Sequence, residues 1–410
     1  MASAGRRVLI IVQNLPVPFD RRVWLEATTL QAHGYEVSVI CPKLKGFNES
    51  RETLEDVEVF RYPMPFDPRS KVGFLAEFSW AWLATFFLSF KVARQGRGFD
   101  VIHACNPPET YWALALIWRL AGKKFIFDHH DLSPEMFEAK FGVKSGIVHR
   151  LLLFMERRSF RTADVVLATN ESHRTVAIER GGVTPDRVAI VRSGPDLKRL
   201  NVYPPDPAWA NSKKHVIAYL GDISAQDGVD GLVRVVARLS EQRDDFHTVV
   251  IGGGSAWEEV KRYAQDQHVD HLFTFTGVVS DDVLCRALSS ATLAVDTVPK
   301  NSWSDRSTMN KIMEYMYFGL PIVAFDLTET MRSAEDAVAT ARSGDESEFA
   351  EILDQLLDDP ERRRRMSTAG RSRLESTLSW EHSVPHLLRA YQRAFANRPR
   401  GSVAAKSRPA

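Results

Sequence analysis

The chain has 410 residues, 44% hydrophobic and 26% charged, which excludes a disordered or collagen-like polymer and exceeds what one ordinary core supports, so two domains are expected. Fifty-three Lys and Arg against 52 Asp and Glu leave a formal charge of +1; so even a balance gives no global attraction to nucleic acid and makes any anion site a local feature. Three scattered cysteines, Cys41, Cys105 and Cys285, exclude a disulfide framework or a zinc cluster and fit a reducing compartment.

The first apolar run, RVLIIV over 7–12, is ended at once by Asn14 and Pro16 and reads as a strand, not as a signal peptide. Asp20, Arg21 and Arg22 open a helix expected over 21–33. Asp20 suits an N-cap; the arginines suit either an anion at the helix N-terminus or a surface salt bridge to Glu26. Strands follow over 36–41 and 57–62. The most apolar stretch, FSWAWLATFFLSF over 78–90, is shorter than the roughly 20 residues needed to cross a bilayer. Trp80, Trp82, Phe86, Phe87 and Phe90, with Lys91 and Arg94 behind them, fit either a helix packed on the sheet or peripheral contact with anionic headgroups.

Further strands are read over 100–104, 124–129, 164–169 and 188–191, with helices over 107–121 and 145–162. His129, His130 and Asp131 sit directly after the strand at 124–129. That strand-end position favours a ligand contact over a purely structural histidine, and HHD lacks the helical spacing of metal ligands. Pro204, Pro205 and Pro207 then interrupt both periods and mark a linker.

Alternation restarts with HVIAYLG, HTVVIGGG, FTFTG, LAVDT and PIVAF, separated by helices over 230–240, 257–267, 280–289 and 311–318. Gly252, Gly253 and Gly254 form a tight turn that is neither GxGxxG nor a P-loop. The densest signal is SDRSTMNKIMEYMYFGLPIVAFDLTE over 304–329. There Lys311 and Glu314 stand three apart on one helix face, Asn310 precedes them, and 305–308 offers N-capping side chains. A cation and free amides would suit a diphosphate, a carboxylate a ribose diol; a solvated Lys–Glu pair is the plainer alternative. The arginines at 362–365 read as a solvated helical face, with an anionic membrane surface as the alternative.

The class is therefore α/β: two doubly wound, Rossmann-like parallel-sheet domains facing a cleft, with ligands expected outside the carboxyl ends of the strands. The expected divisions are 1–203, 204–380, a last helix over 381–396 and a disordered tail over 397–410.

Taken together, VPFDRRVWLEATTLQAHGYEVSVICP, FDHHDLSPE, ADVVLATNES, VRSGPD, YLGDISAQDGVDGL, VVIGGG, FTGVV and NKIMEYMYFGLPIVAFD resemble glycosyltransferase family 4, retaining enzymes of the GT-B fold. The nearest subgroup is the bacterial one linked to N-acetylfucosamine transfer in surface-polysaccharide assembly. The resemblance implies transfer from a nucleotide diphosphate sugar, UDP-linked, to a lipid-linked or glycan acceptor. With no targeting or spanning segment in the sequence, a cytoplasmic enzyme at the inner face of the membrane is expected; no cofactor is expected, and no metal, because no DxD-like carboxylate pair stands out and helix N-termini with cations can neutralise the diphosphate. The resemblance makes His130, with Asp131, the catalytic pair against the donor sugar. Glu314 becomes the holder of the ribose hydroxyls, and Gly277 and Val279 mark the segment that meets the base. Gly221, Gln226, Asp227, Arg306, Ser307, Thr308, Asn310 and Lys311 complete the donor site, and Asp20, Arg21 and Arg22 fall on the acceptor side.

Two departures stand out. Arg306 occupies the position of the family's first signature glutamate, and the loop 222–227 lacks the usual Arg and Lys that grip the diphosphate, leaving Lys311 or Arg306 as replacements. A UDP-sugar 2-epimerase of the same fold and a degenerate, non-catalytic assembly partner are the alternatives.

Overall fold

Runs of Val, Ile, Leu and Phe make the strands because a strand covered on both faces has no solvent side with which to alternate. The computed structural model describes residues 5–65, 71–95, 98–142 and 145–396, without the side chains of 71–75. The tail over 397–410 lies outside the described residues.

Among the described residues the first sheet contains β1 (Arg7–Ile11), β2 (Glu36–Pro42), β3 (Arg51–Leu54), β4 (Val57–Tyr62), β5 (Val101–Cys105), β6 (Lys124–His129), β7 (Val165–Ala168) and β8 (Val188–Ile190). Their order is β3-β4-β2-β1-β5-β6-β7-β8, parallel throughout except for β3 against β4. Between them run α1 (Arg21–Ala32), α2 (Lys71–Arg94), α3 (Trp112–Arg119), α4 (Ser133–Phe141), α5 (Ile147–Thr162) and α6 (Glu171–Glu179).

The second sheet contains β9 (His215–Leu220), β10 (Phe246–Ile251), β11 (Phe273–Gly277), β12 (Leu293–Asp296), β13 (Ile322–Phe325) and β14 (Val338–Ala341), all parallel, in the order β11-β10-β9-β12-β13-β14. The helices that follow β9 along the chain are α7 (Val229–Ser240), α8 (Trp257–Asp266), α9 (Asp281–Ser289), α10 (Asn310–Tyr317), α11 (Thr328–Ala334), α12 (Glu346–Asp358), α13 (Pro360–Arg373) and α14 (Trp380–Ala396). Alternate residues of β9 feed two cores: Ile217 and Tyr219 pack on one face, Val216, Ala218 and Leu220 on the other.

The chain forms two units. One takes the described residues of Met1–Pro134, Lys144–Val191 and Val384–Ala410, the other Glu135–Val143 and Arg192–Ser383. The division thus falls at 191/192, ahead of the proline-rich run, and the last helix is shared between the units.

Two helices differ from expectation in ways that matter. The helix expected from 107 starts at Trp112, since consecutive prolines disfavour helix in the residues before them. The aromatic stretch lies within α2, but only part of it faces outward. Thr85 and Ser89 are buried, and Trp118 donates its indole N–H to Ser89 Oγ at 3.0 Å. Trp82 stacks on Phe86, Phe86 meets Phe90 edge-on and Phe90 lies tilted against Trp118, whereas Leu83 and Phe87 are exposed. Trp80, also exposed, donates to the Pro63 carbonyl at 2.7 Å. Among the described residues no helix is long and apolar enough to cross a membrane.

Candidate active site

Open parallel sheets take ligands where the strand order reverses. In the first sheet that point lies at β1 and β5, with β6 alongside. Asp128, fully buried on β6, accepts both arms of the Arg22 fork: Nε to Oδ2 at 2.9 Å and Nη2 to Oδ1 at 2.7 Å. Arg22 Nη1 donates to the Val191 carbonyl at 2.8 Å. His130 turns Nδ1 to Asp128 Oδ2 at 3.0 Å. Burial works against a charged imidazole, yet the Asp128 carboxylate outweighs it and raises the His130 pKa. Burial likewise pushes Asp128 up, but Arg22 and His130 hold it well below the usual carboxylate range.

His129 faces the other way, its Nε2 3.4 Å from Glu156 Oε1, as adjacent strand residues must. Buried Asn106, just after β5, pins the loop: its Oδ1 accepts from the N–H groups of His130 at 2.9 Å and Asp131 at 3.1 Å. Asp131 Oδ1 accepts from Leu132 N–H at 2.9 Å, which shapes the entry to α4. Asp20 N-caps α1, accepting from Val23 N–H at 3.0 Å. Arg21 is exposed. Arg22 does pair with Glu26, Nη2 standing 3.1 Å from Oε1, but the pair is buried and not on the surface, and the guanidinium also forks onto Asp128.

Glu26, His103, Cys105 and Asp128 place ligand-type atoms within 4.8 Å of one another. They do not fit a metal ion, because the guanidinium of Arg22 already supplies the cation that Asp128 requires.

In the second sheet the order reverses at β9 and β12. Gly221 ends β9 with φ 152°, and a Cβ there would stand 3.0 Å from Lys311 Nζ. That ammonium is buried, 3.2 Å from Asp296 Oδ1 and 3.2 Å from the Tyr219 hydroxyl, over the Tyr219 ring. Burial favours neutral lysine, but Asp296 and Tyr219 hold its pKa well above the ordinary value. Glu314 is also buried and accepts from Arg199 Nη2 at 2.9 Å. Lys311 and Glu314 thus share a helix face without pairing with each other, and the solvated-pair alternative does not hold.

The remaining residues separate. Asn310 is exposed on the first turn of α10. Arg306 is exposed and pairs with Glu135 at 3.0 Å. Ser307 donates to the Trp303 carbonyl at 2.8 Å. Of the stretch 305–308, which includes Thr308, Asp305 accepts from Thr328 N–H at 2.8 Å and so opens α11, and Met309, the residue just before α10, makes no side-chain cap. Gln226 is half-buried; Asp227 closes a capping box with Ser224. Burial, opposed by Lys311 and aided by Asp222, pushes Asp227 up to about 6. Gly277 adopts φ 73° and accepts from Gly252 N–H at 3.1 Å, while Val279 packs on the core.

Residues 20–194 match a Glycosyl transferase 4-like domain and 214–359 a Glycosyl transferases group 1 domain. The chain belongs to the GT-B glycosyltransferases. The 2-deoxystreptamine glucosyltransferase of Streptomyces kanamyceticus is 23% identical over 376 residues, covering 88% of this glycosyltransferase and 95% of that protein. Sucrose-phosphate synthase from Thermosynechococcus elongatus superposes with a TM-score of 0.75 at 19% identity, covering 95% and 99% of the two chains. Anabaena HepE in complex with UDP does so at 0.70 and 16%, covering 94% and 99%. At these identities the solved structures establish the GT-B fold.

In the sequence Asp128 and Asp296 stand as ordinary members of KFIFDH and LAVDT. A carboxylate inside an apolar buried strand was the signal, since such groups are almost never buried without a partner. Arg199 and Asn106 carried no such signal, for their partners lie far along the chain.

Proposed function

We propose that this GT-B enzyme transfers a sugar, with retention, from a UDP-linked donor to a lipid-linked or glycan acceptor in polysaccharide or glycoconjugate assembly, N-acetylfucosamine transfer being the nearest subgroup. The observation that carries this reading is the buried Lys311 ammonium against Gly221, where β9 and β12 part. It supplies the cation that the acidic loop 222–227 lacks, and the first turn of α10 adds its N-terminal amides. Arg306 is the second cation, exchanging Glu135 for phosphate. Glu314 holds the ribose, and Gly277 and Val279 lie along the base. The UDP complex of the similar Anabaena HepE supports a UDP donor.

His130 serves the donor sugar, Asp131 fixes its loop, and Arg21 is the exposed cation of the acceptor side. The leaving phosphate deprotonates the acceptor on the same face of the sugar, with no covalent enzyme intermediate. Neither metal nor cofactor is required, because helix amides and Lys311 neutralise the diphosphate.

Calorimetric titration with UDP tests the site. Glu314→Gln is expected to weaken UDP by roughly 10- to 150-fold, the equivalent of about 1.5–3 kcal/mol for a charge-assisted hydrogen bond. His130→Ala is expected to lower turnover more than UDP affinity. A parent that binds no UDP would favour the non-catalytic assembly partner, and conversion of labelled UDP-sugar without acceptor would favour the epimerase.

Peripheral membrane contact is supported by the outward Leu83 and Phe87 of α2, with Lys91 in its last turn. The chain is expected to float with anionic vesicles, and Leu83→Ser with Phe87→Ser to abolish flotation. Equal flotation of parent and variant would remove α2 from that role.

A further inference from the structure

The pocket beneath His130 holds more ionisable groups than the Asp128–His130 pair requires. Glu26 on α1 is fully buried, and neither of its carboxyl oxygens has a hydrogen-bond partner. Arg22 Nη2 stands 3.1 Å from Glu26 Oε1, but the guanidinium is directed at Asp128 and the Val191 carbonyl. Facing Glu26 are Asp128 from β6, His103 and Cys105 from β5, Arg22 and Asp20 at the start of α1, and Tyr391 from α14. His103 Nε2 lies 3.6 Å from Glu26 Oε2 and 3.9 Å from Asp128 Oδ2, and its Nδ1 lies 2.7 Å from the Tyr391 hydroxyl.

We propose that Glu26 is a positioning residue that acts on His130 across Asp128, its carboxyl setting the charge that His130 carries. The catalytic meaning of this role rests on His130 serving the donor sugar; the electrostatic role does not.

A buried pocket tolerates unbalanced charge poorly. Arg22 and Asp128 cancel one another. An ionised Glu26 adds a negative charge that favours the imidazolium of His130, as Asp128 and Asp20 also do, and a protonated Glu26 withdraws it, the proton being exchanged with solvent. Burial and the Asp128 charge, opposed by Arg22 and His103, push Glu26 up to about 7, so this exchange falls in the neutral range. Asp128 holds Nδ1 of His130 in either state. The change is therefore felt at Nε2, which carries a lone pair in the neutral ring and an N–H in the charged one. Glu26 decides whether that nitrogen accepts from a sugar hydroxyl or donates to an oxygen gaining charge.

The test is an NMR titration of the imidazole signals of the full chain, with His130 assigned by the signal lost in His130→Ala. Removing a negative charge from a low-dielectric neighbourhood lowers a histidine pKa, so Glu26→Gln is expected to move the His130 midpoint down by about half a unit or more. Glu26→Met, an apolar replacement of similar length, is expected to give the same shift, so either variant can decide if the other fails to fold. Glu26→Asp retains a carboxyl and is expected to stay near the parent midpoint. A His130 midpoint unmoved in the Gln and Met variants overturns the proposal, as does failure of both to fold, which would make Glu26 structural. Full turnover in His130→Ala would end the catalytic reading of His130 while leaving the titration result standing.

Discussion

Lys311→Met is expected to destabilise the second unit by about 3–5 kcal/mol, the usual cost of leaving one partner of a buried ion pair alone. Asp296 is fully buried on β12, and its Oδ2 has no hydrogen-bond partner, so Lys311 is what neutralises it. The same substitution is expected to abolish calorimetrically measurable binding of UDP while sparing what weak binding uridine has. Stability and binding are separable by adding Asp296→Asn. The double variant no longer buries an unpaired charge and is expected to recover most of the stability in denaturant unfolding, but none of the UDP affinity. A double variant that binds UDP as the parent does would show Lys311 to be a structural counter-ion with no part in the donor site.

That Lys311 belongs to a site was legible in the sequence; that it also holds the fold together was not. Spacing of three along a helix put Lys311 and Glu314 on one face, but what they meet is set by β12 and by Arg199, which only the folded chain brings near. The reading of Arg22 was right about its pair with Glu26 and wrong about its place, for the same reason. Its i,i+4 relation to Glu26 suggested a surface pair, and nothing local revealed that both are buried against Asp128. Strands covered on both faces announced themselves as continuous apolar runs. The two that escaped, β3 and β14, are edge strands of charged or small residues with half-buried positions, RETL and VATA, where burial writes a weaker pattern. In α2 the aromatic content was evident, but the side turned outward was decided by Thr85 and Ser89 packing inward toward α3.

The Gly252–Gly254 turn said little as sequence, and the structure gives it a steric reason with a severe expected consequence. A Cβ on Gly252 would stand 1.9 Å from the Gly221 carbonyl oxygen, and the residue has φ 134°, where side chains are strained regardless of space. The loops after β9 and β10 are pressed together by backbone bonds, Gly221 N–H to the Ile251 carbonyl at 3.0 Å, Ile223 N–H to Gly253 at 3.2 Å and Ala256 N–H to Ile223 at 2.8 Å, while Gly252 N–H reaches the Gly277 carbonyl at the end of β11 at 3.1 Å. These bonds aim the Gly221 turn at Lys311, so a side chain wedged between them displaces the candidate diphosphate site along with the fold. Gly252→Ala is expected to cost more than about 4 kcal/mol, in the range reserved for backbone clashes that cannot relax, and to eliminate UDP binding. Gly253→Ala is the control. Its Cβ would meet Val278, with the backbone N at an ordinary 3.8 Å and Cγ2 at 3.2 Å on an exposed side chain that can turn away; it is expected to stay within about 1 kcal/mol of the parent. Denaturant unfolding of the two variants checks the contrast, and equal stability would mean that the two loops part without cost and that the Gly221 turn is not held by the Gly252 contact.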